Sequence, residues 1–357
     1  MKPNYENEVL KRKYAEYLKE ARGLSSVTVN FSLATLSKYD KFSKNEYYSK
    51  FNVDKAIAFK EYLKKYCAIT SYRNHCKRLQ KFFIWLVELK GYKSKITKEA
   101  IDYLRITNKD EAISRAGAAR KIPTLEYVVN LVKSIPVNNE IDKRDRALIA
   151  FTACTGMRDS AIASLPIGCV DIKTLIVNQN PKAQVKTKFS KHIISKVFNF
   201  DSFLMQCVLD WYKYLEQKGF GQNAPLFPRS KVNQTKEQLC YKEATNVEPE
   251  FWHSGSCIRS VFKKRTQEAK LEYYAPHTYR HLAIRLALEK ARTAEEKKAV
   301  SQNFGHEHIA TTFATYGNLQ PDELANKLTE IDSRNDDDMD MKRALEVITK
   351  GLSKNAQ

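Results

Sequence analysis

A stretch poor in large apolar side chains runs from Thr107-Asn108-Lys109-Asp110 to Arg120-Lys121-Ile122 and separates two regions whose apolar residues recur regularly. A hydrophobic core is a contiguous cluster, so a polar, basic interval of this kind marks a break between cores. The 357 residues allow roughly two domains on the usual size scale. The reading is a first domain over 1–106, a linker over 107–122 with room for a helical portion, and a second domain over 123–331. An acidic hinge and a last helix follow over 332–357.

The first region has helical periodicity throughout. Leu10, Tyr14, Tyr17 and Leu18 share one face. Ser25 and Ser26 are candidate caps for a helix carrying Val29, Leu33 and Leu36, and Asn52 for one carrying Val53, Ile57 and Leu63. Tyr72, Cys76, Leu79, Phe83 and Leu86 form the clearest stripe, with Gly91 as its stop. On the other side of that helix Arg73, Lys77 and Lys81 are spaced four apart, a basic face that either meets solvent or meets phosphate.

The second region changes period. Leu125, Val128, Val129 and Leu131-Val132 predict a helix, and Ala147 to Cys154 a buried one ending at Gly156. Thr174–Asn178, Gln184–Lys188 and His192–Val197 are rich in β-branched residues and broken by Asn180-Pro181 and Ser190-Lys191, which predicts three short strands. Asp201 can cap a helix with Phe203, Val208, Trp211 and Leu215. Residues 228–255 are polar and irregular, an expected inserted loop. Ile258–Leu271 predicts a helix, and Thr293 with Glu296 a capping box for one that ends near Gly305. After Asp336-Asp337-Asp338, Met341, Leu345, Ile348 and Leu352 mark an amphipathic helix, too short to be stable alone in water. The fold class expected is mainly α with a small antiparallel β-sheet.

Composition narrows the partner. The chain carries a formal net charge of +20, which calls for a polyanion. The longest apolar run, Phe82 to Val87, is far too short to span a bilayer, and the charged N-terminus has no apolar leader segment. Seven cysteines without a Cys-x-x-Cys pair suit reduced thiols in the cytoplasm, not a disulfide frame or zinc site. His306 and His308 lie close but lack a completing set of ligands, so no metal and no cofactor is expected.

Six separated residues carry chemistry that the polyanion can use. They are Arg158 in Thr155-Gly156-Met157-Arg158, Lys186, His277 and Arg280 in Pro276-His277-Thr278-Tyr279-Arg280, His306 in Gly305-His306, and Tyr316 in Thr311-Thr312-Phe313-Ala314-Thr315-Tyr316. Two guanidinium forks can hold the non-bridging oxygens of a phosphodiester as charge builds there. The lysine and histidines can move protons, and a tyrosine can attack and hold the phosphate. With 19 tyrosines in the chain, Tyr316 stands out only by its place after Gly305-His306. Its phenol, about 0.1% ionised at pH 7, needs cationic neighbours and a base. His281 and His308 lie beside the histidines of interest and are set aside.

In this order and spacing the residues resemble the tyrosine recombinases, the phage-integrase and Xer-type enzymes, over roughly 120–320 and more faintly before. The resemblance implies a helical core-binding domain followed by a mixed α+β catalytic domain. The first domain would clamp the DNA face opposite the second, with Arg73, Lys77 and Lys81 on phosphates, and the linker would cross a DNA backbone. Tyr316 would be the nucleophile, Arg158 and Arg280 the phosphate clamps, His277 and His306 the proton-handling and phosphate-binding pair. Lys186 would be the general acid, with Lys188, on the same face of a period-2 strand, its rival. The implied partners are double-stranded DNA sites and a homotetramer, the last helix docking either in cis or on a neighbour. A type IB topoisomerase, or a DNA-binding regulator without cleavage, are the alternatives. Two departures stand out. Ala161 replaces the glutamate that the family often places three residues after the first arginine, and Tyr316 follows His306 by ten residues, one more than is commonest.

Overall fold

The computed structural model describes residues 3–116, 121–231 and 245–306, with positions 310, 325, 326, 328, 329 and 332. Tyr316, the acidic run and the segment expected to form the last amphipathic helix lie outside the described residues. The chain is mainly α-helical with one small antiparallel sheet, and it divides into two compact units, 1–120 and 121–357.

The first unit holds α1 (Tyr5–Glu16), α2 (Ser26–Phe42), α3 (Val53–Tyr66), α4 (Ile69–Val87), α5 (Lys98–Asp102) and α6 (Asn108–Ala116). Ser25 caps α2 and Asn52 caps α3, each accepting a backbone N–H of the first turn, as the sequence predicts. The expected stripe of α4 is buried from Tyr72 to Leu86. Its aromatic end forms the centre of the core: Phe83 stacks on Phe51 at 3.8 Å between ring centroids, and Tyr39 meets Phe59 and Phe83 edge-on.

The segment expected as a linker contains the helical portion that its sequence allowed. Residues 108–116 form α6, which packs on α4 within the first unit. Acidic side chains in its first turn explain the attachment. Asp110 pairs with Lys64 at 2.9 Å and accepts from the Tyr72 hydroxyl, while Glu111 pairs with Arg73 at 2.9 Å and Lys77 at 3.0 Å. Hydrogen bonds from Lys77 and Arg73 hold the Glu111 carboxyl down to about 2. Two members of the basic stripe are therefore engaged by α6, and Lys81 is exposed beyond it.

The second unit holds α7 (Leu125–Ser134), α8 (Glu140–Thr155), α9 (Asp159–Ile162), β1 (Val170–Asp171), β2 (Ile176–Gln179), β3 (Ile193–Lys196), α10 (Ser202–Gln217), α11 (Gly255–Glu268), α12 (Pro276–Lys290) and α13 (Ala294–Asn303). α8 is the central post, with every residue from Ala147 to Thr155 buried and α7, α10 and α12 packed on it. Thr152 and Thr155 sit in that core because each hydroxyl donates to the carbonyl four residues back, at 2.7 Å. Asp145 accepts from Arg144 at 2.7 Å and Arg265 at 2.8 Å, and Arg265 also reaches Asp142, so α11 is pinned to α8 by buried charges that satisfy one another. Asp201 caps α10, and Thr293 and Glu296 form the predicted capping box of α13. The base of the expected inserted loop closes with a bridge between Ser230 and Val247; 232–244 lie outside the described residues.

The sheet differs from expectation. Its order is β1-β2-β3, and the stretch predicted as the middle strand, Gln184–Lys188, belongs to a loop between β2 and β3. Three residues of that loop, Gln184, Phe189 and Ser190, take left-handed backbone angles that no ladder accepts. The β-branched content that suggested a strand includes Val185, which is buried between exposed neighbours without joining the ladder. The first strand is instead the two-residue β1, paired through Val170 with Val177.

Candidate active site

The site begins where α8 ends. Gly156 takes φ +56°, and a Cβ there would meet the Phe304 ring at 2.7 Å and Ala283 at 3.0 Å. Only glycine lets the end of α8 approach α12 and the turn after α13 so closely. The chain then turns through Met157 and presents Arg158, half-buried, at the N-cap of α9.

Arg280 comes to the same place from α12. Pro276 starts that helix, where its missing N–H costs nothing. The Arg280 side chain is 3% exposed. One arm of its guanidinium donates to the Gly156 carbonyl at 2.8 Å, and the other to the Phe304 carbonyl and to His306 Nε2 at 3.3 Å. The Phe304 ring lies under it, 5.3 Å from the guanidinium carbon. Arg280 thus joins the end of α8 to the end of α13 and holds His306 by its ring.

His306 is half-buried, and its pKa is pushed down to about 4 by burial and then by the charges of Arg280 and Arg158. At pH 7 it is a neutral imidazole. With Nε2 accepting from Arg280, its proton sits on Nδ1, which makes it a hydrogen-bond donor and a weak base. β3 fixes its position. Asn303 accepts from the Ser195 hydroxyl through its carbonyl at 2.7 Å and from the Lys196 N–H through its side chain at 2.6 Å. Gly305 follows at φ +68°, a left-handed angle that favours glycine, and a Cβ there would push against the Ile193 side chain.

The structure brings Arg158, Arg280 and His306 into one electrostatic cluster. His277 lies one turn before Arg280 on α12, exposed, its ring edge-on to His281 at 5.0 Å. Lys186 is exposed on the β2–β3 loop, with its peptide N–H on Ser164 Oγ at 2.8 Å and its carbonyl accepting from Ser160 Oγ. Lys186 and Lys188 do not share a strand face, because their segment is a loop, and the Lys188 ammonium lies 5.0 Å over the Phe189 ring.

Several features of the site were not read from the sequence. The carbonyls of Gly156 and Phe304, and Ser160 and Ser164 on and after α9, carry no motif, because their roles exist only after α8, α9 and the ends of α12 and α13 converge. Tyr279 and Tyr273 lie on and before α12, and burial raises both phenols, the opposite of what a nucleophile needs. Among the described residues no helix is long and apolar enough to cross a membrane.

The phage integrase family model matches residues 124–323, more than half of the chain. No curated protein matches it in sequence. Solved structures do. A lambda integrase dimer bound to a COC′ core site is 12% identical with TM-score 0.59, over 87% of this chain and 95% of that one. The Tn1549 transposon integrase in complex with transposon right end DNA is 13% identical with TM-score 0.56, over 91% and 99%. The XerH site-specific recombinase in a post-cleavage complex on palindromic difH is 14% identical with TM-score 0.56, over 89% and 84%. Likeness at these identities is a likeness of fold.

Proposed function

Because the chain belongs to the phage integrase family of site-specific tyrosine recombinases, we propose that it cuts and rejoins double-stranded DNA through Tyr316. The observation that supports this reading best is the Arg158–Arg280–His306 cluster at the end of α8. There Arg280 is buried and fixed by two backbone carbonyls. Guanidinium groups held in this way need no reorganisation when charge develops on a phosphate.

In the forward step the Tyr316 oxygen bonds to phosphorus while the bond to the 5′ oxygen breaks. The phenolic proton passes to His277, and Lys186 gives its own proton to the departing 5′ oxygen. Arg158 and Arg280 hold the non-bridging oxygens, and His306, neutral, donates to one of them. The products are a 3′-phosphotyrosyl bond and a free 5′-hydroxyl, and attack by a 5′-hydroxyl of a partner duplex reverses every transfer. The covalent bond keeps the phosphodiester energy, so the reaction takes neither ATP nor a metal. The first unit clamps the duplex, with Arg73, Lys77 and Lys81 facing phosphates, and a cytoplasmic homotetramer assembles on two sites. Placing Lys186 as the acid draws support from its pinned peptide and from the engagement of Lys188 with Phe189.

Nicked suicide DNA tests the reading directly. Wild-type protein is expected to form a covalent adduct on a denaturing gel in the presence of EDTA. Tyr316→Phe is expected to bind the same DNA and form none. Adduct from the variant at the wild-type level removes Tyr316 from the reaction, and a strict need for divalent cation removes the mechanism.

A further inference from the structure

Lys186 sends an exposed side chain out from a loop, and the fold grips it by the peptide instead. Its N–H donates to Ser164 Oγ at 2.8 Å, and its carbonyl accepts from Ser160 Oγ at 3.3 Å. Ser164 Oγ in turn donates to the Ser160 carbonyl at 2.9 Å. Ser164 is only 7% exposed, so few waters compete for that hydroxyl. The buried Val185 side chain anchors the residue before. Ser160 lies on α9 and Ser164 in the turn after it, and Arg158 is the N-cap of α9, its carbonyl accepting from Ala161 at 2.9 Å and Ile162 at 3.0 Å. One short turn of backbone therefore carries Arg158 at its start and holds the peptide of Lys186 along its length.

We propose that Ser160 and Ser164 are positioning residues that set Lys186 relative to Arg158. The proposal rests on Lys186 being the general acid. Arg158 addresses the non-bridging oxygens and Lys186 the leaving oxygen of one phosphate. A proton moves from the lysine Nζ to the 5′ oxygen as the P–O bond breaks, and the neutral amine takes it back on reversal. Proton transfer of this kind requires donor and acceptor within hydrogen-bond reach, so a shift of the Lys186 backbone slows that transfer specifically. A purely structural role for the serines predicts instead a loss that does not depend on the leaving group.

The leaving group separates the two. An alkoxide is the base of an acid near water's pKa of about 15.7 and departs poorly without a proton. A thiolate, whose acid has a pKa of about 8.5, departs without one. Single-turnover cleavage is measured with the full chain on nicked DNA carrying either a bridging 5′ oxygen or a bridging 5′ sulfur. Ser164→Ala and Ser160→Ala are compared with Lys186→Ala and Arg158→Ala, and DNA affinity and thermal melting report that each variant is folded. Ser164→Ala is expected to slow the oxygen substrate by about 10- to 100-fold, with Ser160→Ala in the same direction. On the sulfur substrate both serine variants and Lys186→Ala are expected to regain wild-type rates to within about two-fold, while Arg158→Ala stays slow on both. Serine variants that cleave the oxygen substrate at the wild-type rate overturn the proposal. So does a serine defect of equal size on both substrates while Lys186→Ala is rescued. A Lys186→Ala defect that sulfur does not relieve shows instead that Lys186 is not the acid, and the proposal falls with that reading.

Discussion

Arg280 has a structural role besides its proposed one on phosphate, and that sets its substitution apart from that of Tyr316. Its guanidinium satisfies the carbonyls of Gly156 and Phe304 in a dry environment besides facing the site. Arg280→Ala is expected to cut adduct formation by at least about 100-fold. It is also expected to lower unfolding stability by about 2–4 kcal/mol in urea titrations, since buried acceptors lose their donor. His306 makes a pH prediction. Its folded pKa, about 4, lies below the ordinary histidine value of 6.5, so the unfolded chain binds a proton over that window and the folded chain does not. Stability contributed by a neutral His306 is thus complete above about pH 6.5 and lost progressively as pH falls toward 4. NMR titration of the ring should show a midpoint well below 6, and a midpoint at 6.5 would contradict the burial and the two arginine charges as its cause.

At the scale of elements, α6 decides how much of the basic stripe is available. Glu111 holds both Arg73 and Lys77, so Glu111→Gln is expected to raise DNA affinity at low salt and to steepen the dependence of log affinity on log salt. Unchanged affinity and slope would mean that neither cation reaches phosphate. The segment read as a linker became a helix of the first unit because Asp110 and Glu111 fall in its first turn, where they suit the helix dipole and face the cations of α3 and α4. The missing middle strand has the matching explanation. Val185 and Thr187 have strand-like composition, yet the Lys186 N–H finds Ser164, in the turn after α9, rather than a neighbouring strand.

For the whole molecule, among the described residues one buried cluster runs from Leu10 to Leu104 within the first unit, and two others lie from Val128 onward within the second. A fragment beginning at Lys121 is therefore expected to unfold cooperatively by itself. It should bind DNA more weakly than the full chain, with a salt slope shallower by about 0.9 for each phosphate contact that Arg73, Lys77 and Lys81 make. Equal slopes for fragment and full chain would reduce that stripe to a solvated face.

Helix existence, most caps and the separation into two cores were legible in the sequence because each depends on neighbours a few residues away. Asn52, Asp201 and Thr293 bond to N–H groups within the next turn, and the stripe from Tyr72 to Leu86 needs only the helical repeat to appear. The order Arg158, Lys186, His277, Arg280, His306 suggests its chemistry from the sequence, since residue types and spacing survive in one dimension, and the roles of these residues are those proposed for them above. Which groups hold those residues was not legible. Arg280 reaches Gly156, 124 residues back, and Lys186 rests on Ser164 from a loop whose composition suggested a strand. Long-range partners of this kind leave no period in the chain. They are settled by where the ends of α8, α12 and α13 meet, and that meeting requires the backbone to pass Gly156 with no side chain in the way.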